Sequence, residues 1–242
     1  GRPVICLHGW NGDGGVFRSP AYRRLLRGCR VYAPDLPGFG ESEGLEEYDF
    51  ESLTRILDGF ADEMGLRGFG LLGQCMGGII ALDYAIRHRA RVCRLVLVET
   101  MIYFPVWMNL LTTDFIGSGV LEHVLKRKAF LRALSIGGAF RKLNISRRLL
   151  KMFQKVDTAC SVKYIRLMKD YSKHDHLIRA KELGDTPVIL ITASSTFKQV
   201  RKTAQDLERA LDNARVINIS GKNHFIFMDQ SKCDGEEKKL VI

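Results

Sequence analysis

Gly73-Gln74-Cys75-Met76-Gly77 sets a thiol between two glycines, behind the apolar run Phe69-Gly70-Leu71-Leu72 and ahead of Ile79–Ile86, which has helical spacing. Strand, sharp turn and helix are the setting of a nucleophile elbow. Its central residue is held in a strained backbone conformation, and only small neighbours let strand and helix approach so closely. The thiol would stand at a helix N-terminus, where amide N–H groups favour negative charge. A cysteine in that field favours the thiolate, the form that attacks an acyl carbonyl to give a covalent intermediate.

The elements that must position this thiol alternate in type. The sequence predicts strands over Val4–Leu7, Val31–Leu36, Phe69–Leu72, Val92–Val98, Pro187–Thr192 and Ala214–Ile219. Between them it predicts helices over 16–27, 49–64 and 198–212, with the elbow helix after Cys75. Such alternation implies a mostly parallel sheet covered on both faces. The first strand runs into His8-Gly9-Trp10, and the second into Pro37-Gly38-Phe39-Gly40-Glu41-Ser42 after Asp35. With the elbow, these segments resemble the α/β-hydrolase family, in which an H-G-x segment, a D-x-x-G-x-G-x-S segment and a G-x-S-x-G elbow follow in this order. The resemblance covers residues 1 to about 100 and about 186 to 228, with cysteine in place of the usual serine. It implies a twisted, mostly parallel α/β sheet flanked by helices. It divides the chain into a core of 1–100 and 183–242 and an inserted helical cap of 101–182. The family normally has one or two strands ahead of the one that opens this sequence.

The resemblance also implies roles. His224, in Ser220-Gly221-Lys222-Asn223-His224-Phe225 after the last strand, falls where the family has its catalytic base. The backbone N–H groups of Trp10 and Met76 would form the oxyanion hole, and His8 would be structural. The family's acid usually follows the strand at 187–192, where this chain has Ala193-Ser194-Ser195-Thr196 and no carboxylate. Some members place the acid one strand earlier, at the position of Glu99. Glu99 is therefore the candidate histidine orienter, with a salt-bridge or hinge role as the alternative. Thr196 or Ser195 could hydrogen-bond His224 instead. A thiol depends less on such an orienter than a hydroxyl does, because thiolate and imidazolium can already coexist. Gln74, Trp10, Tyr103, Phe104 and Trp107 are candidate pocket residues, although the apolar stripe 101–111 reads equally as cap core.

Composition narrows the partners. The chain of 242 residues is long enough for one full α/β core with an insertion. It carries a net charge of +10. Residues 101–182 hold 16 Lys+Arg and 6 Asp+Glu, a net of +10, so the remainder is neutral. The basic segment reads either as a solvated face or as a docking surface for an acyl carrier protein, the phosphates of coenzyme A or an anionic membrane. No recognition motif for nucleic acid accompanies it, and no metal or redox cofactor is implied. No stretch is apolar enough to span a bilayer, and no signal peptide is visible. The six cysteines show neither disulfide nor metal spacing, and Cys6 and Cys93 read as buried strand residues, all suiting a reducing cytoplasm. The expected activity is cleavage of an apolar acyl ester or thioester through an acyl-cysteine. Acyl transfer, a cyclase or lyase reaction at the same site, and a binding protein with a relict site are the alternatives.

Overall fold

A computed structural model describes residues 1–113, 117, 119, 120, 122 and 157–223. Among these, six strands form one parallel sheet: β1 Arg2–Leu7, β2 Cys29–Tyr32, β3 Phe69–Gln74, β4 Val92–Val98, β5 Val188–Ser195 and β6 Ala214–Asn223. They are arranged β2-β1-β3-β4-β5-β6, so β3, which leads into Cys75, lies near the middle with partners on both sides. The inner strands β1, β3, β4 and β5 are buried on both faces along most of their length, which is why they are apolar runs rather than alternating ones, whereas the edge strands β2 and β6 are partly exposed. One face, with Ile5, Leu71 and Leu97, packs under helices α2 Phe50–Glu63, α3 Met76–Arg87 and α6 Lys198–Ala210. The other, with Cys6, Leu72 and Val98, packs against α1 Pro20–Leu25. Between β4 and β5 lie a 3-10 segment Val106–Thr112 and helices α4 Thr158–Tyr171 and α5 His176–Ala180.

The expected helix over 16–27 is broken in two. A 3-10 turn at Gly14–Arg18 ends at Ser19, which is extended because Pro20 follows it. Ser19 then caps α1, accepting from the Tyr22 N–H, with Pro20 in the first turn where its missing donor costs nothing. The second strand occupies Cys29–Tyr32 rather than Val31–Leu36, since Pro34 offers no N–H and restrains Ala33. Cys6 is fully buried and its thiol pushed up by desolvation, but Cys93 is exposed at the start of β4. The helix over 49–64 forms as Phe50–Glu63, capped by Asp49, which accepts from the Ser52 N–H at 2.7 Å. That hydrogen bond holds the Asp49 carboxyl below its usual range.

Two buried histidines make stability depend on pH. Burial lowers the pKa of both His8 and His176 below 6.5. The unfolded chain therefore binds more protons than the native one as pH falls through 6.5, so stability decreases on acidification. The melting temperature is expected to be lower at pH 5.5 than at pH 7.5. Equal values in a calorimetric series would contradict the buried, neutral state of both rings.

Candidate active site

Cys75 sits where β3 turns into α3, with φ 51° and ψ −113°. This is left-handed backbone, which a residue with a Cβ occupies only when its surroundings enforce it. Three contacts enforce it. The Cys75 N–H donates to the Val98 carbonyl at 2.8 Å, tying the elbow to the end of β4. A Cβ at Gly73 would lie 2.4 Å from the Gly77 carbonyl oxygen. A Cβ at Gly77 would lie 2.4 Å from the carbonyl oxygens of both Leu7 and His8. The two glycines thus let α3 press directly on β3 and on the loop after β1. Cys75 is half-buried, and Met76 begins α3 fully buried.

The loop after β1 lies against the thiol. A Cβ at Gly9 would be 3.3 Å from the Cys75 Cβ. His8 holds this loop from within: its Nε2 accepts from the Leu36 N–H at 2.9 Å, which leaves the proton on Nδ1 to donate to the Gly9 carbonyl. Both ring nitrogens are engaged and the ring is neutral, so His8 serves structure. Asp35 braces the same region, accepting from the Gly14 N–H at 2.6 Å and from the Glu41 N–H at 2.9 Å. Trp10 is half-buried and its Nε1 donates to the Ser161 carbonyl on α4 at 3.2 Å. Its neighbour Asn11, left-handed at φ 56°, accepts from the Ser161 hydroxyl at 2.5 Å. No sequence signal pointed to this pairing of residues 150 positions apart.

Glu99 ends β4 next to the elbow, fully buried and left-handed at φ 53°. Its N–H donates to the Ile191 carbonyl. Its carboxylate accepts from the Ala193 N–H at 2.5 Å and from the Thr196 hydroxyl. Cys75 and Glu99 are therefore brought to adjacent strand ends. His224 lies outside the described residues.

The remaining candidate residues are more dispersed. Gln74 is buried, its Oε1 without a hydrogen-bond partner. Phe104 is half-buried beside Met108 and α4 residues Val162 and Ile165. Tyr103 donates to Asp206 on α6 at 2.5 Å, with Lys202 lying 4.0 Å over its ring. Trp107 is 61% exposed. A cavity of about 1070 Å³ opens between the loops after β1 and β2, lined by Asn11, Arg18, Arg23, Asp35 and Asp157 among others, but not by Cys75. Among the described residues no group of three or more His, Cys, Asp or Glu could hold a metal ion. No described helix is long and apolar enough to cross a membrane.

Comparison with known proteins agrees with this fold. A pimeloyl-(acyl-carrier protein) methyl ester esterase of Chromobacterium violaceum is 38% identical over 100 residues, 41% of this chain and 37% of that enzyme. The enzyme of the same name from Vibrio vulnificus is 22% identical over 243 residues, covering 96% of this chain and 92% of its own. The first relatives matched at over 30% identity are each spanned over only 37–44% of their length. These relatives carry the names of esterases and hydrolases. The structure of MenH from S. aureus superposes with a TM-score of 0.73 at 20% identity, covering 95% of this chain and 89% of that one. The sequence model described as alpha/beta hydrolase fold matches residues 2–231, nearly the whole length, and the chain belongs to this family.

Proposed function

We propose that this protein hydrolyses an apolar acyl ester or thioester through an acyl-cysteine at Cys75. The observation that carries the reading is the strained backbone of Cys75 at the tip of β3, a conformation whose recognised use is to present a nucleophile. In the first step the Cys75 thiol passes its proton to His224 and its sulfur attacks the acyl carbon, forming a C–S bond as the bond from that carbon to the leaving alcohol or thiol breaks. The backbone N–H groups of Trp10 and Met76 hold the oxyanion, and the alcohol or thiol leaves with a proton from His224. In the second step His224 takes a proton from water, the hydroxide attacks the acyl-cysteine, and the carboxylic acid departs as the sulfur is restored. Glu99 positions the imidazole. Residues 101–182 act as the cap over this site, with Trp10, Gln74, Phe104, Tyr103 and Trp107 as the residues through which it takes the acyl chain.

The names of the relatives make an acyl-carrier-bound methyl ester the first substrate to try. The +10 charge of 101–182 suits an acidic carrier protein. The free thiols of the described cysteines suit a reducing compartment such as the cytoplasm.

Intact mass after mixing with a panel of acyl thioesters and an activated ester tests the mechanism. The expected result is a mass gain of one acyl group that is absent in Cys75→Ala and decays in water. Decay only on addition of an alcohol or thiol acceptor would convert the reading to acyl transfer. No adduct and no turnover across the panel would favour a binding protein with a relict site.

A further inference from the structure

We propose that Thr196 is a positioning residue for the reaction, acting through Glu99. The inference rests on the reading of Glu99 as orienter of the base. The end of β5, where the family resemblance places the acid, carries no carboxylate in Ala193-Ser194-Ser195-Thr196. It supplies donors instead. In a regular parallel ladder the Glu99 N–H would bond to the Ile191 carbonyl, and the Ala193 N–H would return to a backbone carbonyl. The first bond is present, at 2.8 Å. The second goes to the side chain, from the Ala193 N–H to Glu99 Oε1. The carboxylate thus takes a rung of the sheet, as the left-handed turn at Glu99 allows.

Thr196 fixes the other oxygen. Its hydroxyl donates to Glu99 Oε2, and both residues are buried. The Thr196 backbone is itself anchored, its carbonyl accepting from Arg201 Nη1 at 2.9 Å. A hydroxyl has one proton, and here it is directed to the carboxylate. Thr196 therefore serves a histidine N–H through Glu99. A carboxylate offers about four acceptor sites. Two are taken by fixed donors from β5 and the turn after it, which sets the plane in which another can be offered to an imidazole. The strand that lost the acid has become the clamp for an acid on its neighbour.

The test is a steady-state series on p-nitrophenyl butyrate, with Thr196→Val, Thr196→Ser, Glu99→Gln and the double variant Thr196→Val/Glu99→Gln, each checked for folding by circular dichroism. Thr196→Val is expected to lower kcat about tenfold at unchanged KM, the size of one hydrogen bond to a charged group. Thr196→Ser should stay within about threefold of the parent, since it restores the donor. The double variant should be no slower than Glu99→Gln, because residues acting as one unit are not additive. A Thr196→Val enzyme with parental kcat, losses that multiply in the double variant, or a slow Thr196→Ser would each overturn the proposal. Where Thr196→Val fails to fold, Thr196→Ala is read by the same criteria. Turnover that survives Cys75→Ala would instead remove the nucleophile reading. A Glu99→Gln enzyme with full kcat would remove the orienter and this proposal with it.

Discussion

Cys75→Ala is expected to lower kcat for ester cleavage by about 10⁵- to 10⁶-fold, as removal of a nucleophile does in enzymes whose catalytic groups act as a unit. The small residual rate would come from oxyanion stabilisation and binding alone. Cys75→Ser should fall between the two. A hydroxyl gives up its proton far less readily than a thiol and so depends on a well-oriented base. Glu99→Gln should accordingly cost the serine variant a larger factor than it costs the parent. Equal factors in the two backgrounds, from single-turnover rates, would mean that the carboxylate does not act through the base. A third substitution reads the strain directly. Cys75→Gly removes the Cβ from a backbone held at φ 51° and ψ −113°. Relief of a left-handed non-glycine residue is about 1–3 kcal/mol, set against about 0.5–1 kcal/mol for glycine's greater freedom when unfolded. Cys75→Gly is expected to be inactive and yet more stable, with a higher midpoint in urea. A lower midpoint would show that the elbow is not strained.

The second large effect is structural. Gly77→Ala should destabilise by about 4 kcal/mol or more, in the range reserved for steric conflicts that cannot relax. The new methyl group would meet two carbonyl oxygens at 2.4 Å, those of Leu7 and His8. Neither can retreat. Leu7 is paired with Gly73 in the sheet, and His8 is tied through both ring nitrogens. For a chain of this size the loss corresponds to a fall of about 8–16 °C in melting temperature. Gly59→Ala is the matched control. That position lies in α2 with nothing within 4 Å of a new Cβ, and the substitution should stabilise by about 0.5–1 kcal/mol. Scanning calorimetry on the pair separates backbone contact at the elbow from the general effect of adding a methyl group. Similar shifts in both variants would contradict the close approach of α3 to β1.

What could be read from the sequence was local. Each apolar run that became a strand is specified within its own few residues, and the elbow declares itself in five. Where one local rule overrides another, the sequence pattern misleads: the spacing of Phe17, Tyr22, Leu25 and Leu26 suggests one helix, but Ser19-Pro20 divides it. Cys93 has the alternation of a strand residue but lies at the strand's beginning, where the side chain reaches solvent. Glu99 was visible as a carboxylate at a strand end. Two of its partners were not, since one is a backbone N–H, which every residue but proline carries, and another is a threonine 97 positions away. The link from Asn11 and Trp10 to Ser161 was equally hidden, because nothing near either segment records the other.

That link has a thermodynamic consequence. One residue of α4, Ser161, receives the indole N–H of Trp10 and gives its hydroxyl proton to Asn11, so the helix is tied by two hydrogen bonds to the loop whose amide we propose for the oxyanion hole. Whatever displaces α4 must carry the loop with it or break two hydrogen bonds. By reciprocity, a ligand that holds α4 in this position raises the population of the loop geometry that receives a developing negative charge, and a transition-state mimic bound at Cys75 must tighten α4 by the same free energy.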